Sequence, residues 1–182
     1  HALIIEKVAV GFQVVYVGRR GHPEALGCVG EAPDAVHLVQ DVEDVKALEL
    51  DSPRIAVTTQ TTLSVWDTAA VIEAIRERYP EAEIHNEICL ATQDRQEAVI
   101  AAAQEADLVL VVGSLRSSNS RRLVEVTEQR TGKPAYLVDS TADINPEWLR
   151  GCAAVAVSSG ASTPSPLTRD VISHLEALPA TV

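Results

Sequence analysis

The chain has 182 residues, 46% hydrophobic and 23% charged, which is the balance of a globular protein and not of a disordered one. Its formal net charge is -11, from 26 acids against 15 bases, and this excludes the basic face that a nucleic-acid or membrane-surface binder needs. Aromatic residues are only 3%, so the core must be aliphatic, and no run approaches the roughly 18 apolar residues of a membrane span.

In chain order, the first pattern is a helix over 2–9. Short aliphatic runs follow at 14–17, 36–39 and 55–57. Each run is continuous rather than alternating, as strands of a parallel sheet read when both faces are covered. A helix is predicted over 68–79, where Val71, Ile72, Ile75 and Tyr79 share one face. The alanine-rich segment 93–106 predicts a second long helix, which runs into a strand at 108–112. A helix over 119–130, strands at 135–138 and 153–157, and a helix over 167–178 complete the set. Strands alternating with helices predict an α/β fold with mainly parallel sheets.

The runs repeat. Val17-Gly18 returns as Val112-Gly113 after 95 residues, and His37-Leu38-Val39 with Asp44 returns as Tyr136-Leu137-Val138 with Asp143 after 99. Ile55 to Thr59 returns as Val155 to Ser159 after 100. Matches in this order predict two pseudo-symmetric copies of one small unit, residues 1–84 and 85–182. Each copy is expected to run strand, polar loop, strand, short acidic helix, strand, hydroxyl-rich loop, helix. The same offset puts the counterpart of Cys89 about six residues before His1, so the first unit is expected to lack its own start. The chain contains no methionine, which fits a processed chain or one cut from something longer.

Cys28, Cys89 and Cys152 form no CxxC pair and no zinc-ligand spacing, and so sparse a count suits a reducing cytoplasm. Each alone reads as a small buried hydrophobe. The polar residues gather after the strands, at Gly21-His22-Pro23-Glu24, at 58–64, at Gly113-Ser114 with Ser117 to Ser120, and at 158–162. Ligands of parallel sheets bind outside the carboxyl ends of the strands, where helix starts offer unpaired N–H groups. Any one loop is explained by helix capping. Four in equivalent places point to a shared pocket, faced by His22, Ser117, Asn119 and Ser162. Such a pocket suits a phosphate or diphosphate held by neutral donors, in keeping with only three lysines in the chain.

Several ordered motifs carry a family resemblance. They are Gly21-His22-Pro23-Glu24, Thr59-Gln60-Thr61-Thr62-Leu63-Ser64, Ile88-Cys89-Leu90-Ala91-Thr92, Arg95-Gln96-Glu97-Ala98-Val99, Val111-Val112-Gly113-Ser114, Ser117-Ser118-Asn119-Ser120 and Gly160-Ala161-Ser162. With them the chain, from about Val14 to Leu178, resembles the 4-hydroxy-3-methylbut-2-enyl diphosphate reductases, the last enzymes of the methylerythritol phosphate route to isoprenoids. The resemblance implies three similar α/β units around a [4Fe–4S] cluster, each unit giving one cysteine, with Cys89 the ligand in this chain. It implies that Glu24 delivers protons and Thr61 relays them. It implies that His22, Thr62, Ser117, Ser118, Asn119 and Ser162 hold the substrate diphosphate. The implied reaction is a cytoplasmic two-electron reductive dehydroxylation of an allylic diphosphate to isopentenyl and dimethylallyl diphosphate. The implied electron donor is a reduced ferredoxin or flavodoxin, and neither nucleic acid nor membrane takes part.

The departures from the family also carry expectations. The family's first unit and two cluster cysteines are missing, and neither Cys28 nor Cys152 is expected to replace them. One thiolate cannot hold a cluster that needs three. The cluster is therefore expected in the complete protein and not in this chain, which is expected to be inactive in isolation. The second reading is a cluster-free module that binds a diphosphate or another anion.

Overall fold

Aliphatic runs become strands wherever helices cover both of their faces. In the computed structural model, which describes residues 1–86, 88 and 90–179, every strand pairs in parallel with its neighbours. The chain divides into two units, His1–Cys89 and Leu90–Val182.

The first unit opens with helix α1 (Ala2–Ala9) and strand β1 (Gln13–Val17), then α2 (Pro23–Glu31), β2 (Val36–Val39) and α3 (Val42–Ala47). It continues with β3 (Ile55–Thr59), α4 (Val65–Arg78) and β4 (Glu83–His85). The sheet order is β2-β1-β3-β4. Alternate residues of β1 and β3 enter two different cores. Val15, Val17 and Val57 pack with Val71 and Ile75 of α4, while Val14, Tyr16 and Ala56 pack with Ile4 of α1 and Ala25 of α2.

The second unit has α5 (Leu90–Gln104), β5 (Leu108–Val112), α6 (Ser118–Thr131), β6 (Ala135–Val138), β7 (Val155–Ser159) and α7 (Ser165–Glu176). Its sheet order is β6-β5-β7. β5 is buried along its whole length. Val109 and Val111 meet Val99 of α5 and Leu123 of α6, and Leu108, Leu110 and Val112 meet Val171 of α7.

The internal repeat extends to single hydrogen bonds. Gly18 N donates to Val39 O at 2.9 Å, and Gly113 N to Val138 O at 2.9 Å. Gln60 N donates to Val17 O at 2.8 Å, and Gly160 N to Val112 O at 3.0 Å. Asp44 accepts from the backbone N of Gln40, and Asp143 from that of Asp139. The two α/β units are therefore copies in backbone pairing as well as in sequence.

Three elements differ from expectation. The loop after β1 turns at once into α2, whose inward residues Ala25 and Cys28 are too small to make a visible apolar stripe. β4 has only three residues, too few for a period to show. The short acidic helix appears in the first unit as α3, but its counterpart is two 3₁₀ turns, Thr141–Asp143 and Pro146–Leu149. Pro146 opens the second of these turns and cannot continue a preceding helix. Among the described residues, no helix is long and apolar enough to cross a membrane.

Candidate functional site

Parallel strands bring the loops that follow them to one end of their sheet. In the first unit these are the loops after β1 and β3, which pair directly. His22 caps α2, and its Nδ1 accepts from Glu24 N at 3.1 Å. An imidazole accepting at Nδ1 carries its proton on Nε2, the nitrogen that can then donate to an anion. Pro23 follows as the first helical residue, where its missing N–H costs nothing.

Glu24 therefore stands in the first turn of α2, where a negative charge is favoured by the helix dipole. Its carboxylate is held from both sides by one residue of the other loop. Oε1 accepts from Thr61 N at 2.9 Å, and Oε2 accepts from Thr61 Oγ1 at 3.0 Å. A protonated Glu24 could thus pass a proton along the Thr61 hydroxyl.

Gln60 fixes the spacing of the two loops and has no counterpart among the expected site residues. It is 1% exposed. Its Oε1 accepts from Arg19 N at 3.0 Å, and its Nε2 donates to Thr62 Oγ1 at 2.9 Å. Thr62 is thereby tied to the loop before His22. Gly18 has to be glycine here, because a Cβ would lie 2.6 Å from the Tyr16 ring. A buried amide has no sequence signature of its own, and nothing in the Thr-rich stretch marks Gln60 apart.

The second unit carries the hydroxyl and amide groups. Ser117 caps α6, with Oγ accepting from Ser120 N at 3.2 Å, and Ser118 opens the helix. Asn119 is 8% exposed, and neither atom of its amide has a hydrogen-bond partner among the described residues. The buried Ser120 hydroxyl is in the same state. Leaving such groups unsatisfied costs about 1–3 kcal/mol each, so the start of α6 presents polar groups with hydrogen-bonding capacity to spare. Gly113 and Gly160, which directly follow β5 and β7, lie against Ser120, and a Cβ on either would collide with its Oγ. Thr163 Oγ1 donates to Val112 O at 2.9 Å and closes the turn in which Ser162 stands exposed. Arg95 of α5 also reaches this end, its Nη1 donating to Ser159 O at 3.4 Å. Arg95 opens one of the motifs that carry the family resemblance, but it is not among the expected site residues.

The thiols do not assemble a cluster site among the described residues. Cys28 is buried between α2 and the sheet. Cys152 stands ahead of β7, at the other end of its sheet from the Ser-rich loops, and its Sγ donates to Trp148 O at 3.3 Å. Cys89 lies outside the described residues. No group of three or more His, Cys, Asp or Glu that could hold a metal ion occurs among the described residues.

A family model described as LytB protein matches residues 1–176. The chain belongs to the LytB family. Its relatives in that family include proteins named 4-hydroxy-3-methylbut-2-enyl diphosphate reductase. The one from Symbiobacterium thermophilum is 55% identical over 177 residues, and that from Bacillus subtilis 50% identical over 176. Each alignment covers 97% of this chain, but only 60% and 56% of the relative. Among solved structures, the E-1-hydroxy-2-methyl-but-2-enyl-4-diphosphate reductase of Plasmodium falciparum aligns with a TM-score of 0.93 at 32% identity. That alignment covers 98% of this chain and 57% of the other. This LytB chain thus spans a little over half the length of the relatives it matches.

Proposed function

We propose that this chain supplies the proton-delivering and diphosphate-holding parts of a 4-hydroxy-3-methylbut-2-enyl diphosphate reductase. The observation that carries the reading is the Glu24 carboxylate held by both the N–H and the hydroxyl of Thr61. Removing a hydroxyl group from an allylic alcohol requires a proton on the departing oxygen and another on the allyl carbon skeleton. Glu24 is the acid for these transfers, and Thr61 Oγ1 is the group through which its proton reaches the substrate. His22 offers Nε2–H to the diphosphate. Asn119 offers its unpaired amide, and Ser117, Ser118, Ser162 and Thr62 offer hydroxyls. Neutral donors and a helix start can bind a dianion on a protein of net charge -11.

The reaction also needs two electrons, and in the family reading a [4Fe–4S] cluster delivers them from a ferredoxin or flavodoxin type of donor. The described thiols do not fit that cluster, so its thiolates are assigned to Cys89 and to residues outside this sequence. The chain in isolation is accordingly an inactive part of a cytoplasmic enzyme. The alternative, a cluster-free anion-binding module, has no use for Glu24.

The test is steady-state reduction of the allylic diphosphate by the complete, cluster-loaded enzyme carrying Glu24→Gln. Loss of a general acid lowers the rate by about 10²–10⁴-fold. A rate within about threefold of the parent, well short of that range, overturns the reading.

A further inference from the structure

Tyr16 takes no part in the chemistry described so far. It sits on β1 and turns its ring to the side of the sheet covered by α1 and α2, against Ile4, Ala25 and Cys28. Only 2% of it is exposed, and its hydroxyl completes no hydrogen bond of full geometry among the described residues, although Cys28 and Glu24 lie within side-chain interaction range of it. That hydroxyl faces Glu24 and Cys28. All three residues line one cavity of about 270 Å³, together with Thr58 and Thr61. A buried donor without a partner is rare in folded proteins and calls for an explanation.

The phenol is held in its protonated form. Burial, followed by the negative charge of Glu24, pushes its pKa above the ordinary tyrosine range. The Tyr16 hydroxyl is therefore available to this cavity as a donor. Both oxygens of Glu24 are occupied by Thr61 in this structure. When Thr61 turns its hydroxyl toward a substrate oxygen, Oε2 loses its donor.

We propose that Tyr16 is a positioning residue for Glu24, its hydroxyl donating to the carboxylate that Thr61 releases and holding it in place between proton transfers. The proposal rests on the Glu24–Thr61 relay described above. Among the described residues, the ionisable groups near Glu24 include Cys28 and the capping His22 on its own helix, and His1, which lines the cavity and pairs with Glu31.

The experiment follows the Glu24 carboxyl carbon of the 182-residue chain by carbon-13 NMR through a pH titration. The Thr61→Val variant imitates the released state. In it Tyr16 takes over as donor to the carboxylate. Adding Tyr16→Phe removes that donor and moves the titration up by about one pH unit, a tenfold change in proton affinity. Placing 3-fluorotyrosine at position 16 in the Thr61→Val chain makes a stronger donor and moves the titration down, which decides the matter should the phenylalanine variant fail to fold. Equal titrations in the Thr61→Val chain with and without Tyr16→Phe, or no downward movement with the fluorinated ring, overturn the proposal. The measurement involves no turnover. A null result here leaves the Glu24→Gln kinetics standing, and an active Glu24→Gln enzyme leaves the titration standing.

Discussion

At the scale of single residues, the groups proposed for chemistry and the groups that hold them were unequally visible. His22, Glu24, Thr61 and Asn119 are reactive or strongly polar types in loops after strands, and a parallel sheet explains why such positions matter. Gln60 and Tyr16 are buried, and burial is something no single residue type announces. Gln60 carries the sharper consequence. Its side chain satisfies the N–H of Arg19 and ties down Thr62 from inside the protein. Gln60→Leu keeps the bulk but leaves the Arg19 N–H without its acceptor. Unfolding in urea should show a loss of about 1–3 kcal/mol, the cost of unsatisfied buried hydrogen bonds. An unchanged midpoint would mean that the two loops are held apart from Gln60.

At the scale of elements, β5 and β7 are joined at their amino ends by one carboxylate. Asp107 accepts from Ala153 N at 2.7 Å and from Ala154 N at 3.1 Å, while its own N–H donates to Ala154 O at 2.9 Å. The N–H groups of Ala154 and then Ala153 hold its carboxyl below the usual carboxylate range. A carboxyl depressed by folding stabilises the native state above its unfolded pKa, and that contribution is lost as pH falls through the folded one. Asp107→Asn should therefore be less stable than the parent near neutrality, and the gap should close in acid. Urea midpoints measured across that interval check it, and a gap independent of pH would contradict it. The strands other than β4 were legible because they are continuous aliphatic runs. α2 was not, since Ala25 and Cys28 fill its inward face with little bulk, and the three residues of β4 are too short for any period.

At the scale of the molecule, the repeat was the most informative feature of the sequence. It gave two α/β units, and the backbone pairs Gly18–Val39 and Gly113–Val138 show how closely one unit copies the other. The copies differ at their carboxyl ends. The first presents an imidazole and a carboxylate, the second hydroxyls and an unpaired amide. The central claim is this division of labour, with proton delivery in the first unit and diphosphate holding led by the second. Measuring kcat and KM for the complete, cluster-loaded enzyme with Glu24→Gln and with Asn119→Ala tests it most directly. The account predicts that Glu24→Gln lowers kcat by about 10²–10⁴-fold with KM nearly kept. It predicts that Asn119→Ala raises KM about ten- to a hundredfold with a much smaller loss of kcat, as for a lost hydrogen bond to a charged group. Equal effects of the two substitutions on kcat and KM, or an exchange of the two patterns, would contradict it.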